Sequence, residues 1–229
     1  MTNKKLGINI ISNIIAFSVS FSISFIITPI LIVEIGKELF SFYPMSNNFV
    51  SYVTVLTLAI NSMLARFLTI HINKDNIKLA KHIFASAFFA NFIFIMLITA
   101  PVLWAINNIE NILDIPVGEA ENVKTFFVLI FSSMVLNIFT NAHASSTLVT
   151  NRTDIKAVVE IVKSLTKIIL FIVLFNFFTP SLFLVGMIVL IISIINVIIQ
   201  YKVSNKLLPY LNIKIENVNS LALKHCCLD

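Results

Sequence analysis

The chain has 229 residues, of which 58% are hydrophobic and only 12% charged, with a formal charge of +5. A soluble globular domain carries about 25% charged residues, so this composition excludes that class. The basic excess has a simpler source in membrane topology than in nucleic acid, and no nucleic-acid partner is expected.

Taken in order, the hydropathy predicts an all-α integral membrane bundle of six transmembrane helices, residues 1–205, followed by a cytoplasmic tail, residues 206–229. The first span is Ile8–Val33. Its apolar run is too long for a signal-peptide core, which needs about 7–15 residues, and no small-residue cleavage site follows. Ala16 to Phe25 alternates like a strand, but a lone strand would leave its backbone groups unpaired in lipid. As a helix it places Asn13, Ser20, Ser24 and Thr28 near one side. The second span, Val50–Ile70, carries Asn61 and Arg66 towards its inner end. The connection His71–Lys81 is basic and predicted to turn helical at its end. The third span, Ile83–Ile106, holds Asn91. An acidic connection follows, and Asn108–Glu121 within it is long enough for a short helix on the membrane surface.

The fourth span, Thr125–Val149, places Ser133, Asn137, Asn141 and Ser145 at four-residue intervals, with Thr140 beside them. His143 is read as a packing residue. The fifth span is Val159–Phe178 and ends at Thr179-Pro180-Ser181, where proline stops the helix. The sixth, Leu182–Tyr201, carries Ser193, Asn196 and Gln200, with Gly186 seven residues before Ser193. The two cysteines, Cys226 and Cys227, are adjacent in the tail. Neighbouring cysteines form a poor structural disulfide and match no metal-site spacing, so two reduced thiols and no metal or cofactor are expected.

Basic residues alternate with the spans. Fourteen of the sixteen Lys and Arg residues fall on one side, and only Lys37 and Lys124 on the other. The positive-inside rule therefore puts both termini in the cytoplasm. Asn151-Arg152-Thr153 fits a glycosylation acceptor, but that side makes glycosylation unexpected.

The fifth span is the informative one. A helix needs about 20 residues to cross roughly 30 Å of hydrocarbon. Ile168 to Phe178 is free of charge but too short, so the span must take in Lys163 and Lys167. Glu160, Lys163, Ser164 and Lys167 fall at i, i+3, i+4 and i+7 and share one face. A charge at membrane depth costs about 2.5–3.5 kcal/mol on insertion scales and normally faces a bundle interior or a watery cavity. For Lys163, snorkelling or a pair with Glu160 is the simpler reading, and for Arg66 snorkelling. For Lys167, two turns inside, a lumen position is favoured. Arg66, Lys163 and Lys167 would then form an electrostatic trap in the cytoplasmic half for an anion arriving from the inner leaflet. Asn61, Asn137, Asn141, Asn196 and Gln200 would offer donors and acceptors to sugar hydroxyls; their simpler role is hydrogen bonding between helices, about 0.6 kcal/mol each. No nucleophile elbow, phosphate loop, H-E-x-x-H or paired intramembrane carboxylates occur, so a transporter is expected rather than an enzyme.

Several stretches in combination resemble the oligosaccharide flippases of polysaccharide biosynthesis, the O-antigen type, within the multidrug/oligosaccharidyl-lipid/polysaccharide exporter superfamily. These are Thr28-Pro29-Ile30 closing the first span, then Ile35-Gly36-Lys37-Glu38-Leu39-Phe40. The next is Leu58-Ala59-Ile60-Asn61-Ser62-Met63-Leu64-Ala65-Arg66-Phe67 in the second span, and the last is the basic connection Asn151 to Ala157. The resemblance covers about residues 5–205 and implies the N-terminal lobe of such a flippase in the bacterial cytoplasmic (inner) membrane. The implied substrate is an undecaprenyl-diphosphate-linked oligosaccharide, moved from inner to outer leaflet by alternating access. Family members have twelve to fourteen spans in two lobes. Six spans followed by a non-membrane tail imply a truncated or frameshifted chain, which would need a missing second lobe or a homodimer to close a lumen. An inactive or scaffold remnant and a multidrug efflux pump are the alternatives. The pump would call for an intramembrane acid, for which Glu160 is the one candidate.

Overall fold

The computed structural model describes residues 3–209. The tail and its Cys226–Cys227 pair lie outside the described residues. Among those residues there are eight helices and no strand: α1 (Asn3–Ile35), α2 (Lys37–Phe40), α3 (Phe42–Asn73), α4 (Ile77–Asn107), α5 (Ile109–Ile112), α6 (Ala120–Val149), α7 (Thr153–Phe177) and α8 (Leu182–Leu207). Six are long. Of these, α1, α3, α4, α6 and α8 have the length and apolar composition to cross a membrane. α7 does not by that measure, because its 25 residues include Asp154, Lys156, Glu160, Lys163 and Lys167.

The observed helices overrun the predicted spans. α1 runs from Asn3 through Pro29 to Ile35, a few residues past each end of the expected Ile8–Val33. Pro29 cannot donate to the carbonyl four residues earlier. The Thr28 hydroxyl donates at 2.8 Å to the Ser24 carbonyl in that same turn. α3 begins at Phe42, two turns before the apolar run starting at Val50. Ser46, Asn47 and Asn48 look like a connection in sequence. Pro44 is nonetheless well placed in the first turn of a helix, where its missing N–H costs nothing, and the Ser46 hydroxyl donates to the Tyr43 carbonyl at 2.8 Å. The corner between α1 and α2 is made by Gly36 at φ 84°, in the left-handed region that favours glycine. The expected short helix between the third and fourth spans is α5.

α6 lies at the centre. It packs most broadly on α8 and also on α3 and α4, while α7 links α8 to α1. α1 therefore touches the bundle mainly along α7, burying a narrow seam of Asn9, Ala16, Ile23, Ile27, Leu31 and Ile35. Three apolar clusters hold the molecule. One, at the α2 and α5 end, gathers Leu31, Phe42, Val123, Phe126, Phe171 and Leu182. A second, at the N-terminal end, gathers Leu64, Leu68, Ile83, Phe84 and Ala142. The third lies between them, with Val53, Ile95, Met134 and Ile138. Outside these seams apolar side chains are exposed all round, as with Phe17, Phe21 and Phe25 on α1. This is the pattern of a molecule solvated by lipid.

The N-terminal end of α1 is tied to the start of α7. The Asn9 side-chain amide donates to the Asn151 carbonyl at 3.3 Å. Its Oδ1 accepts from the Asp154 backbone N–H at 3.1 Å. Asn13 donates to Thr153 Oγ1 at 3.3 Å. Residue 152, which precedes α7, contributes no side-chain cap, so Asn9 does that work from another helix. Arg152 turns instead to Asp154, in an ion pair at 3.0 Å, and this hydrogen bond holds the Asp154 carboxyl below its ordinary range.

Candidate functional site

Glu160, Lys163, Ser164 and Lys167 do share a face of α7, and all four are half-buried. The opposite face is apolar and exposed, with Val158, Val162, Leu165, Ile169 and Ile172. A helical period of 3.6 puts these two sets about 180° apart. The charged face therefore turns towards the bundle, and the oily face away from it.

Each member of that face has a different partner. Lys163 donates to both carboxylate oxygens of Glu160, at 3.1 and 3.0 Å. Ser164 shares a 2.8 Å hydrogen bond with Ser20 of α1, which is how the α1–α7 seam is keyed. Lys167 finds no carboxylate among the described ion pairs. Its ammonium donates to the Tyr43 hydroxyl of α3 at 2.9 Å and stands 5.7 Å from the centroid of the same ring. Glu160 is thus engaged by Lys163, and the polar partner of Lys167 is a phenol oxygen.

The other sequence candidates fall elsewhere. Arg66 is exposed on α3, opposite the buried Leu64 and Leu68, and no described hydrogen bond or ion pair joins it to either lysine. Asn61 is half-buried. It donates to the Thr57 carbonyl at 2.9 Å, while its Oδ1 is buried without a partner. Asn137 and Asn196 meet between α6 and α8. Asn196 donates to Asn137 Oδ1 at 3.2 Å, and Asn137 donates to Ser193 at 3.1 Å. Those groups bind helix to helix. Asn141 is half-buried one turn beyond them. Gln200 is buried, and its Oε1 has no partner. His143 packs edge-on against both Phe84 and Tyr201, at 5.6 Å in each case, as a packing role requires, but its Nδ1 is buried without a partner.

Two residues at these contacts carry no sequence signal. Tyr43 lies 124 positions from Lys167, in a segment that reads as a connection. Asn9 precedes the polar edge that begins at Asn13. Asn91, noted in sequence, is completely buried with both side-chain polar atoms unpaired.

No family model matches the chain. The uncharacterized membrane protein EpsK of Bacillus subtilis (strain 168) is 20% identical over 215 residues, covering 94% of this chain and 43% of that protein. A solved multidrug resistance MATE family transporter of the MOP superfamily, in an outward-facing conformation, superposes with a TM-score of 0.75. The fold is similar to half of that transporter. The match covers 95% of this chain and 50% of the transporter, at 13% identity. The chain spans half or less of the length of both proteins. It is a multi-pass membrane protein by its long apolar helices, with a fold similar to half of that transporter.

Proposed function

We propose that the chain is the N-terminal lobe of a flippase in the bacterial cytoplasmic membrane. On this reading it carries a lipid-diphosphate-linked oligosaccharide, of the undecaprenyl type, from the inner to the outer leaflet. All six long helices span the bilayer, α7 among them, and both ends of the lobe face the cytoplasm. A second lobe or a second copy completes the lumen.

The observation that carries this reading is the charged face of α7. It points away from the helix's own exposed apolar face, and Lys167 on it has no counter-carboxylate among the described residues. Moving an uncompensated ammonium to membrane depth is costly. A site that tolerates that cost is suited to an anion, because the low-dielectric surroundings strengthen the attraction. Arg66 is exposed on α3, roughly 35 Å along the helix from the Tyr43 end that Lys167 reaches, so the three bases do not gather in one half of the bundle. Its guanidinium would grip phosphate by two bonds at a separate point on the path. Export of small organic molecules is the second reading, favoured by the fold match to a multidrug resistance transporter.

The test is transport in proteoliposomes with the second lobe or second copy present. Lys167→Gln and Arg66→Gln should each lower transport of a lipid-linked oligosaccharide at least tenfold, with folded protein retained. Unchanged transport refutes the anion reading. Export of small organic molecules with no oligosaccharide movement establishes the second.

A further inference from the structure

We infer that Lys167 and Tyr43 together form a two-donor site for a phosphate or diphosphate oxygen, with Tyr43 as the residue that gives the site its direction. This rests on the reading of α7 as the anion-bearing helix and adds a residue that the reading does not contain.

The chemistry begins with what lysine lacks. An ammonium is a compact point charge on a flexible stem, and unlike a guanidinium it cannot grip an oxyanion in a fixed plane. A second donor at a fixed position removes that deficit. The Tyr43 hydroxyl accepts a hydrogen bond from Lys167 at 2.9 Å. A phenol that accepts in this way still holds its own proton for donation. The ammonium likewise keeps two further N–H groups. The pair therefore presents an N–H and an O–H side by side, at a separation that suits two oxygens of one phosphate or a single shared oxygen.

The hydroxyl is held in place. The Tyr43 ring packs against the apolar cluster that includes Leu31, Phe42 and Phe171, and it stacks at a tilt on Phe40, 6.3 Å away. Its position in the first turn of α3 is fixed by Pro44 and by the Ser46 bond to its carbonyl. Lys167 stands ten residues before the end of α7 at Phe177, roughly 15 Å along the axis. The site thus lies between α3 and α7, two helices whose common packing neighbour is α6. Binding there joins the two sides of the bundle. Among the described residues no carboxylate pairs with the ammonium, since Glu160 is held by Lys163.

The test measures binding of farnesyl diphosphate, with farnesol as the phosphate-free control, to the full chain in lipid nanodiscs. Tyr43→Phe keeps the ring and removes only the hydroxyl. It should raise the dissociation constant for the diphosphate about tenfold, the usual scale for one hydrogen bond to a charged group, and leave farnesol unaffected. Lys167→Gln should raise it further. In the double variant the two effects should fall short of adding, because both residues serve one oxyanion. A hydroxyl that merely braces α3 against α7 would lower the melting temperature in Tyr43→Phe and leave the dissociation constant unchanged. That result overturns the inference, as does a wild-type chain that prefers farnesol. The failures separate from those of the flippase reading. Transport that depends on Lys167 and ignores Tyr43 removes this site alone. Diphosphate binding that depends on Tyr43, with no oligosaccharide transport, removes the flippase and leaves the site.

Discussion

Asn9 is a small residue with two distinct tasks. Its Oδ1 caps α7 from a different helix, and its amide satisfies the Asn151 carbonyl in the turn before it. The turn needs that help, because Asn151 is a non-glycine residue at φ 53°. Asn9→Ala should therefore cost about 1 kcal/mol, as loss of an N-cap does. Asn9→Asp keeps the acceptor and should recover part of that loss. Thermal unfolding in detergent at fixed pH reads both. Equal midpoints for wild type and Asn9→Ala would show that the cap contributes nothing. The charged residues of α7 follow the same local logic. The pairing of Lys163 with Glu160 is legible in sequence, because residues three apart on a helix are neighbours. The pairing of Lys167 with Tyr43 is not. Nothing within one helix records a partner 124 positions away.

At the scale of the element, α6 and α8 form the closest seam. Gly186 makes the approach possible. A Cβ added there would come within 3.0–3.2 Å of Leu129 and Phe126 side-chain atoms. Small residues let membrane helices approach in this way, since packing rather than the hydrophobic effect drives their association. Gly186→Leu should destabilise the chain by about 1–3 kcal/mol through overpacking, seen as a lower melting temperature. Gly7→Leu, where nothing lies within 4 Å, should leave it unchanged. Equal effects at the two positions would contradict the seam. The six helices themselves were readable from hydropathy, apart from their ends. The polar start of α3 misled because Pro44 in the first turn of a helix starts it rather than breaks it. The polar ladder of α6 was readable as well. Its role is now divided, with Asn137 bonded into the α8 seam and Asn141 outside those bonds.

At the scale of the whole molecule, one chemical contrast organises the account. α7 carries charge on one side and bare hydrocarbon on the other, and the bundle decides which side meets lipid. The sequence alone defines that contrast by period. The packing of α7 on α1 and α8 then sets its direction, which no single span could reveal. The central claim is that the Lys167 side of α7 faces water and the Ile169 side faces acyl chains. Cysteine accessibility tests it most directly. With Cys226 and Cys227 replaced by serine, Lys167→Cys and Ile169→Cys are introduced singly into the full chain in membranes. Each is then exposed to a charged, membrane-impermeant methanethiosulfonate reagent added to either side. The account predicts rapid labelling at 167 and protection at 169. Protection at 167 with labelling at 169 would contradict it.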